Sequence, residues 1–314
     1  MVTTIKNVAE KAKVSVATVS RVLNNKGYVK ETTKKEVEKA IKELNYVPNS
    51  FARALYAKQS NIIGVLIPDI TNPFFSELYT KIEFYAEREN QQLFLFNSNY
   101  DIKKEKKLIK QLNSKLIDSA IIISENLTEK DLLDIQIPTV ILDRKLSENI
   151  PSICIDNYKG GREATRYLIT CGCKMIVHIT GPKYNEAATE RARGFYDEIN
   201  NNSNNYVVVQ GNYNIKDTVN LFSDLLIKYP SIDGVFAGND IIAMGVVKAL
   251  SQKKEKNISV VGFDGISLVE DITPEITTMR QPINDIAKHA VDIIMRRKKE
   301  FHKVFDAELI INET

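Results

Sequence analysis

The stretch NYVPNSFARALYAK, from Asn45 to Lys58, separates two parts of the chain that differ in charge and in hydrophobic pattern. Pro48 ends the helical pattern that precedes it, and Asn49 is a suitable N-cap for a new helix. The new helix places Phe51 and Leu55 on one face, but isolated helices shorter than roughly 12 residues are marginal in water. We therefore predict a short helix that needs a partner to be stable.

Charge differs between the two sides of this stretch. Residues 1–60 contain twelve Lys and Arg and five Glu, a net charge of +7, whereas the remaining residues contain 31 basic and 35 acidic side chains, a net charge of −4. A run of charge is usually only a solvated surface. A basic block confined to one small N-terminal domain is also what binding to a phosphate backbone requires.

The composition is that of a globular protein with two or three domains, since 43% of the 314 residues are hydrophobic and 26% are charged. No apolar run approaches the roughly 20 residues of a membrane span, and the N-terminus lacks the apolar region of a signal peptide. We therefore expect a cytoplasmic protein. Cys154, Cys171 and Cys173 have no further Cys or His cluster nearby, so we expect reduced thiols and no zinc site.

Before the stretch, apolar spacing predicts three short helices joined as a helix-turn-helix. The first covers about residues 5–12, the second residues 16–23 with Ser15 as N-cap, and the third about residues 30–44. Their predicted core positions are Ile5, Val8, Ala9, Ala12, Val19, Val22, Leu23, Val37, Ala40, Ile41 and Leu44. A small three-helix bundle of any function would show the same spacing.

The local sequence is more specific than the spacing. The string TIKNVAEKAKVSVATVSRVLN, residues 4–24, strongly resembles the DNA-binding head of the lactose-repressor (LacI) family, and NYVPN and ARAL resemble that family's hinge helix. The resemblance implies a helix-turn-helix DNA-binding domain at residues 1–47, a hinge helix and linker at 48–60, and an effector-binding and dimerisation domain at 61–314. It also implies operator DNA and a second copy of the chain as the partners that stabilise the hinge.

The exposed face of the second helix suits the major groove. Arg21 can donate two hydrogen bonds to guanine, and the small apolar Val16 and Ala17 can contact thymine methyl groups. By the resemblance, Leu55 wedges into the minor groove and bends the duplex, although a core position beneath the body remains an alternative. The predicted DNA-binding residues are Ser15, Val16, Ala17, Thr18, Ser20, Arg21, Asn24, Asn49, Ala52, Arg53 and Leu55. Phe51 and Tyr56 depart from the family pattern and leave the packing of the hinge pair open.

After residue 60, short apolar runs alternate with helical patterns, which predicts an α/β fold with parallel sheets. Predicted strands are 62–67, 92–97, 119–123, 139–142, 175–180, 206–210, 234–237 and 259–262; predicted helices are 75–89, 103–112, 161–171, 186–200, 217–228 and 241–250. We expect two doubly wound subdomains of the periplasmic-binding-protein type. Their expected ranges are about 61–156 plus 282–298, and about 157–281 plus 299–314.

Polar and aromatic residues follow the predicted strands, where ligands bind in such sheets. Taken singly, each is more often a cap, a turn or a core residue. Together they match the needs of a sugar, with aromatic faces for the ring and polar groups for its hydroxyls. The strings NPFF, LDR, ERARGF, GND, GFDG and RQP also resemble the periplasmic ribose-binding type. By that resemblance the effector contacts are Asn72, Phe74, Phe75, Asp143, Arg144, Arg191, Tyr213, Asn239, Asp264 and Gln281, with Tyr213 in place of a phenylalanine.

Signals for enzymatic chemistry are missing from the sequence. No nucleotide-binding glycine motif follows a predicted strand, and His178, His289 and His302 have neither metal-ligand nor triad spacing. We therefore predict no catalysis, no cofactor and no metal. The sequence predicts a homodimeric repressor that ribose releases from its operator. Alternatives are a repressor that responds to another sugar or uses its ligand as a co-repressor, a sugar-binding transport protein, and an enzyme of sugar phosphates.

Overall fold

The computed structural model describes residues 3–23, 27–46, 60–113, 116–183, 185–202, 204–253, 258–271, 274–296 and 301–314. The chain divides into two compact units, Met1–Ser60 and Asn61–Thr314. The predicted hinge helix lies outside the described residues, and so do Asn24, Asn49, Ala52, Arg53 and Leu55.

The first unit contains the three predicted helices: α1, Ile5–Lys11; α2, Val16–Leu23; and α3, Glu31–Glu43. A tight turn joins α1 to α2, with Lys13 in the left-handed region at φ 53°. Ser15 is the predicted N-cap of α2, and its hydroxyl accepts a hydrogen bond from the backbone N–H of Thr18 at 3.1 Å. The buried core contains Val8, Ala9, Ala12, Val19, Val22, Val37 and Ala40, with Leu23 partly buried beside it.

The second unit holds two six-stranded sheets. The first sheet consists of β1, Ile62–Ile67; β2, Gln92–Asn97; β3, Ser119–Ile123; β4, Thr139–Leu142; β5, Ser152–Ile155; and β11, His302–Phe305. The order is β11-β5-β4-β3-β1-β2, and every pair is parallel. Its helices are α4, Pro73–Arg88; α5, Ile102–Leu112; α6, Glu129–Leu132; and α11, Ile283–Ile294.

Both faces of this first sheet are covered, as the continuous apolar runs of its strands require. Ile63, Val65 and Ile67 of β1 pack in one cluster with residues of α4 and α11. Ile62 and Leu66, on the opposite face, pack in a second cluster with residues of α5.

The second sheet repeats this arrangement. It consists of β6, Met175–Thr180; β7, Asn205–Gln210; β8, Gly234–Ala237; β9, Ser259–Asp264; β10, Thr277–Arg280; and β12, Glu308–Ile310. The order is β12-β10-β9-β8-β6-β7, parallel except for the antiparallel pair of β10 and β12. Its helices are α7, Asn157–Thr170; α8, Glu186–Asn201; α9, Ile215–Lys228; and α10, Asp240–Lys253, with a 3₁₀ turn at Ser267–Val269.

The predicted alternation of strands and helices is confirmed, but one expected boundary is wrong. Residues 299–314 were expected to lie wholly in the second half. Instead, β11 pairs with β5 in the first sheet, with His302 opposite Ser152, and only β12 joins the second sheet. After α11 the chain therefore completes the open edge of one sheet and then of the other.

The described residues include no helix that is long and apolar enough to cross a membrane. Nor do they contain three or more His, Cys, Asp or Glu side chains grouped so that they could hold a metal ion.

Candidate functional site

The first unit presents one face of α2 to solvent. Ser15, Val16, Ala17 and Arg21 are exposed, and Thr18 and Ser20 are partly exposed. Val19 and Val22 on the opposite face are buried in the three-helix core. This arrangement leaves the predicted reading residues of α2 accessible, and their contacts with bases and phosphates stay a prediction.

In the second unit, one small cavity lies between the two sheets at the carboxyl ends of their strands. It measures about 30 Å³ and is lined by Asn72, Phe74, Phe75, Glu125, Asp143, Asn185, Ala187, Arg191, Tyr213, Asn239, Asp264 and Gln281. Nine of the ten predicted effector residues are in this set. A space of this size holds about one water molecule, so a sugar needs the two halves to separate. A groove of about 550 Å³ that shares Asn72 and Tyr213 adjoins it.

Helix caps place three of the polar lining residues. The side-chain oxygen of Asn72 accepts from the Phe74 N–H at the start of α4. That of Asn185 accepts from the Ala188 N–H at the start of α8. Asn239 does the same for the Ile242 N–H at the start of α10. Because Asn fits the N-cap position, these three helices each bring an amide to the cavity.

Two aspartates reach the cavity from strand ends in an uncommon backbone conformation. Asp143 after β4 has φ 76°, and Asp264 at the end of β9 has φ 110°. Residues other than glycine seldom occupy this region, and such strain is concentrated at functional sites. The conformation turns both carboxylates toward the space between the sheets, where both line the cavity.

Arg191 is the centre of a buried polar network. Its Nε donates to Asn157 Oδ1 at 2.8 Å, its Nη1 to the Gly238 carbonyl at 2.7 Å, and its Nη2 to Asp264 Oδ1 at 3.4 Å. The guanidinium lies over the Phe263 ring, 3.6 Å from the centroid. Only 5% of the residue is exposed. Arg191 is therefore held in one orientation before any ligand arrives.

Three further bonds hold Asp264 and the segments beside it. Gln281 Nε2 donates to Asp264 Oδ1 at 2.8 Å. Asp240, fully buried, accepts from Thr278 Oγ1 at 2.6 Å and from the Ile266 N–H at 2.9 Å. Burial raises the pKa of both Asp240 and Asp264, and the positive charge of Arg191 opposes the rise at Asp264.

Arg144, predicted as an effector contact, is not among the residues that line the cavity. Its Nε donates to the Ser124 carbonyl and its Nη2 to the Leu127 carbonyl, both at 2.6 Å. Because these bonds direct the guanidinium to the backbone after β3, Arg144 positions this loop instead of contacting a ligand in the present geometry.

The loop that Arg144 holds carries a lining residue that the sequence interpretation missed. Glu125 Oε1 accepts from Asn185 Nδ2 at 2.5 Å, a bond that connects the two halves of the unit. Burial, helped by the negative charge of Asp143, raises the pKa of Glu125 to about 7. Both residues had a usable signal, since Glu125 follows a predicted strand and Asn185 directly precedes a predicted helix.

The aromatic part of the site comes from α4. Phe74 and Phe75 are both buried and meet edge to face, with 5.3 Å between their ring centroids. Apolar rings combined with carboxylates, amides and a guanidinium suit a ligand that has C–H faces and many hydroxyl groups.

Comparison with known proteins gives matches along the chain. Residues 4–49 match the family model described as "Bacterial regulatory proteins, lacI family", and residues 60–302 match "Periplasmic binding proteins and sugar binding domain of LacI family".

Individual relatives cover nearly the whole chain. The ribose operon repressor of Halalkalibacterium halodurans is 39% identical, over 99% of this chain and 97% of the relative. The sucrose operon repressor of Lactococcus lactis is 36% identical, over 93% of this chain and 92% of the relative. A crystal structure of a periplasmic binding protein/LacI transcriptional regulator from Alkaliphilus metalliredigens, complexed with D-xylulofuranose, has a TM-score of 0.74 and 30% identity, over 81% of this chain and 98% of the other.

Proposed function

Because this chain belongs to the LacI family of bacterial regulatory proteins, we propose that it is a transcriptional repressor that binds operator DNA and is released by D-ribose. The observation that carries the proposal is that nine residues with sugar-binding chemistry converge on one cavity. The accessible face of α2 in the N-terminal unit supplies the second requirement, a surface for reading DNA.

For the effector, the proposal assigns one role to each kind of lining residue. Phe74 and Phe75 cover the C–H face of the ring, while Arg191, Asp264 and Asn239 exchange hydrogen bonds with hydroxyls. Ribose is preferred because the ribose operon repressor of H. halodurans is 39% identical over nearly the full chain. The competing candidates are sucrose and D-xylulofuranose, since related proteins carry those names in their descriptions.

For the DNA, we propose that two copies of the chain bind a two-fold symmetric operator. A head this small makes few contacts, so pairing is needed to reach specific affinities of roughly 10⁻⁸–10⁻¹¹ M. Phe84 of α4 and Phe94 of the edge strand β2 are 46% and 50% exposed, and they offer apolar surface for pairing of the bodies.

The sugar and DNA sites would be coupled through the cleft. A ligand held by residues from both halves favours one relative position of those halves, and so shifts the equilibrium between arrangements of the dimer. Coupling of about 1–3 kcal/mol, which is usual between allosteric sites, would change operator affinity some 5- to 150-fold. The segment at 48–60 is the proposed route for this change to the heads.

The experiment is fluorescence anisotropy on a duplex selected from a random library, with and without sugars. D-ribose should weaken binding at least 5-fold, whereas sucrose and D-xylulose should not. Tighter DNA binding in the presence of ribose would make ribose a co-repressor instead of an inducer. A response only to another sugar would make that sugar the effector.

Arg21→Ala tests the DNA side in the same assay. It should lose discrimination at one base position per half-site, worth about 1–3 kcal/mol, because a guanine contact is removed. Lys35→Ala, at an exposed position of α3, is the matched control and should leave the base preference unchanged. If Arg21→Ala instead weakened binding equally on all DNA sequences, Arg21 would contact only the phosphate backbone.

A further inference from the structure

One buried acidic atom at the cavity is left without a partner. Among the residues that the structure describes, Oε2 of Glu125 is buried and has no hydrogen-bond partner. The other carboxylate oxygen, Oε1, is fixed by Asn185 Nδ2 from the opposite half. An unsatisfied buried acceptor costs about 1–3 kcal/mol, so Oε2 is available to a hydrogen-bond donor that enters the cavity.

The charges around the cavity restrict what that ligand can be. Three carboxylates line it, those of Glu125, Asp143 and Asp264, against the single guanidinium of Arg191. Each nitrogen of Arg191 already donates to a protein oxygen, one of them on Asp264. Three of the five N–H groups of Arg191 therefore already have protein acceptors, and fewer remain for the two-pronged binding of a phosphate.

The second nearby cation is committed as well. Two of the three guanidinium nitrogens of Arg144 donate to backbone carbonyls of the loop that carries Glu125. A phosphate group in this cavity would face three carboxylates, and the one cation that lines the cavity, Arg191, already pairs with Asp264. A neutral ligand with hydroxyl donors meets no such repulsion.

We propose that Oε2 of Glu125 accepts a hydrogen bond from a hydroxyl of an unphosphorylated, uncharged sugar, and that Glu125 together with Asp143 and Asp264 excludes sugar phosphates. This assignment rests on the proposed function, because it specifies the ligand of the same cavity. It makes Glu125 a specificity-determining residue that reads the ligand from the first half.

The surroundings of Glu125 agree with this role. Asp143 and Glu105 add negative charge near it, whereas Arg144 and the amide of Asn185 favour its ionised form. Burial raises the pKa of Glu125 to about 7, so binding of a hydroxyl donor to the carboxylate stabilises a charge that is poorly solvated in the free protein.

The test is titration calorimetry on the full chain at pH 7.5 with D-ribose, D-ribose 5-phosphate and the cationic sugar D-glucosamine. The variants are Glu125→Gln, which is nearly isosteric and keeps an oxygen for Asn185, and Glu129→Gln, a matched change at an exposed site on α6. Thermal melting verifies that both variants fold.

The wild-type protein should bind D-ribose at least 100-fold more tightly than D-ribose 5-phosphate. Glu125→Gln should weaken ribose binding about 10-fold or more, since a hydrogen bond to a charged group is worth about 1.5–3 kcal/mol. Glu125→Gln should also reduce the ratio between the affinities for D-ribose and D-ribose 5-phosphate, because one negative charge that repels the phosphate is removed. Glu129→Gln should match the wild type in both respects.

The failures of the two proposals are distinguishable. Tighter binding of ribose 5-phosphate or of glucosamine than of ribose overturns the assignment of a neutral ligand and leaves a sugar-responsive repressor standing. Equal affinities for Glu125→Gln and Glu129→Gln remove Glu125 from the site. A panel of neutral pentoses, hexoses and disaccharides covers the case in which ribose does not bind. If another sugar of the panel binds, ribose is not the effector, and the affinities of Glu125→Gln and Glu129→Gln are compared with that sugar. No binding by any sugar overturns both proposals.

Discussion

The two halves of the second unit share a strand order but differ in how their polar groups are satisfied. In the second half, Arg191, Asp264 and Gln281 are bonded to one another or to backbone. In the first half, Oε2 of Glu125 has no partner among the described residues, and Oε1 accepts a bond that runs across the cleft from Asn185.

This difference indicates which half changes when a ligand binds. A network completed in advance loses little conformational freedom on binding, which is the advantage of preorganisation. The first half brings buried rings and an unsatisfied carboxylate, so its contacts are completed only by ligand. We therefore expect the second half to act as a fixed template and the first half to move against it.

The largest effect should follow from Arg191→Ala, which disrupts the buried hydrogen-bond network of the second half. The substitution removes three hydrogen-bond donors and the cation that pairs with buried Asp264. Breaking a buried ion pair costs about 3–5 kcal/mol, so unfolding should occur several degrees lower. Ribose binding should fall more than 100-fold. Calorimetry and thermal melting measure the two effects.

Arg193→Ala on the same helix is the control, because its side chain is 59% exposed, pairs with Glu190 three residues earlier and lies over the Tyr158 ring. Such exposed pairs are worth roughly 0–1 kcal/mol. If Arg191→Ala were as stable as Arg193→Ala, the second half would not be held by this network, and the contrast between the halves would disappear.

Much of the fold could be predicted from local pattern. Strands β1 and β3 are continuous apolar runs because both of their faces are buried, and their predicted bounds agree with the structure. Strands β5, β10, β11 and β12 were missed, since three or four residues that mix polar and apolar side chains, such as SICI or HKVF, carry too little pattern to separate a strand from a loop. Their place depends on pairing with distant residues, which the local sequence does not contain.

The site shows the same limit. The position of a residue after a strand predicts that it reaches the cleft, and this succeeded for Asp143, Asp264 and Asn239. It does not predict where a long side chain points once it arrives. Arg144 turns to two backbone carbonyls, and the neighbouring loop brings Glu125 to the cavity instead.

An intermediate effect should appear in the pH dependence of stability. The pKa of Glu125 is about 7 in the folded protein against an ordinary value of 4.5. Between these values the folded state holds a proton that the unfolded state releases, so stability falls as pH rises from about 4.5 through 7. The loss from this one group is at most about 3 kcal/mol, a shift of several degrees.

Melting curves of the free protein between pH 5 and 8 measure this slope. Glu125→Gln should flatten it in part, with the remainder due to Asp143, Asp240 and Asp264, whose pKa values burial also raises. In the wild-type protein, saturating ribose should also reduce the slope, because a hydroxyl donor to Oε2 lowers the pKa of Glu125 toward its ordinary value. An unchanged slope in Glu125→Gln would mean that the pKa of Glu125 is not raised in the folded protein.

The smallest effect should come from Tyr213→Phe, which tests whether the second half needs anything further from the ligand. Tyr213 stands where ribose-binding relatives were expected to have phenylalanine, and glycine at 181 leaves room for its hydroxyl. Burial raises its pKa well above the ordinary value, so the hydroxyl stays neutral. Because the ring that covers the sugar is retained, ribose affinity should change no more than about 5- to 10-fold, the value of one neutral hydrogen bond.

Calorimetry against ribose measures this change in affinity, with Tyr206→Phe on edge strand β7 as the control. A loss of ribose affinity beyond 100-fold would show that the Tyr213 hydroxyl gains an essential hydrogen bond from the sugar, as is proposed for Glu125. The second half would then also depend on the ligand to satisfy its polar groups.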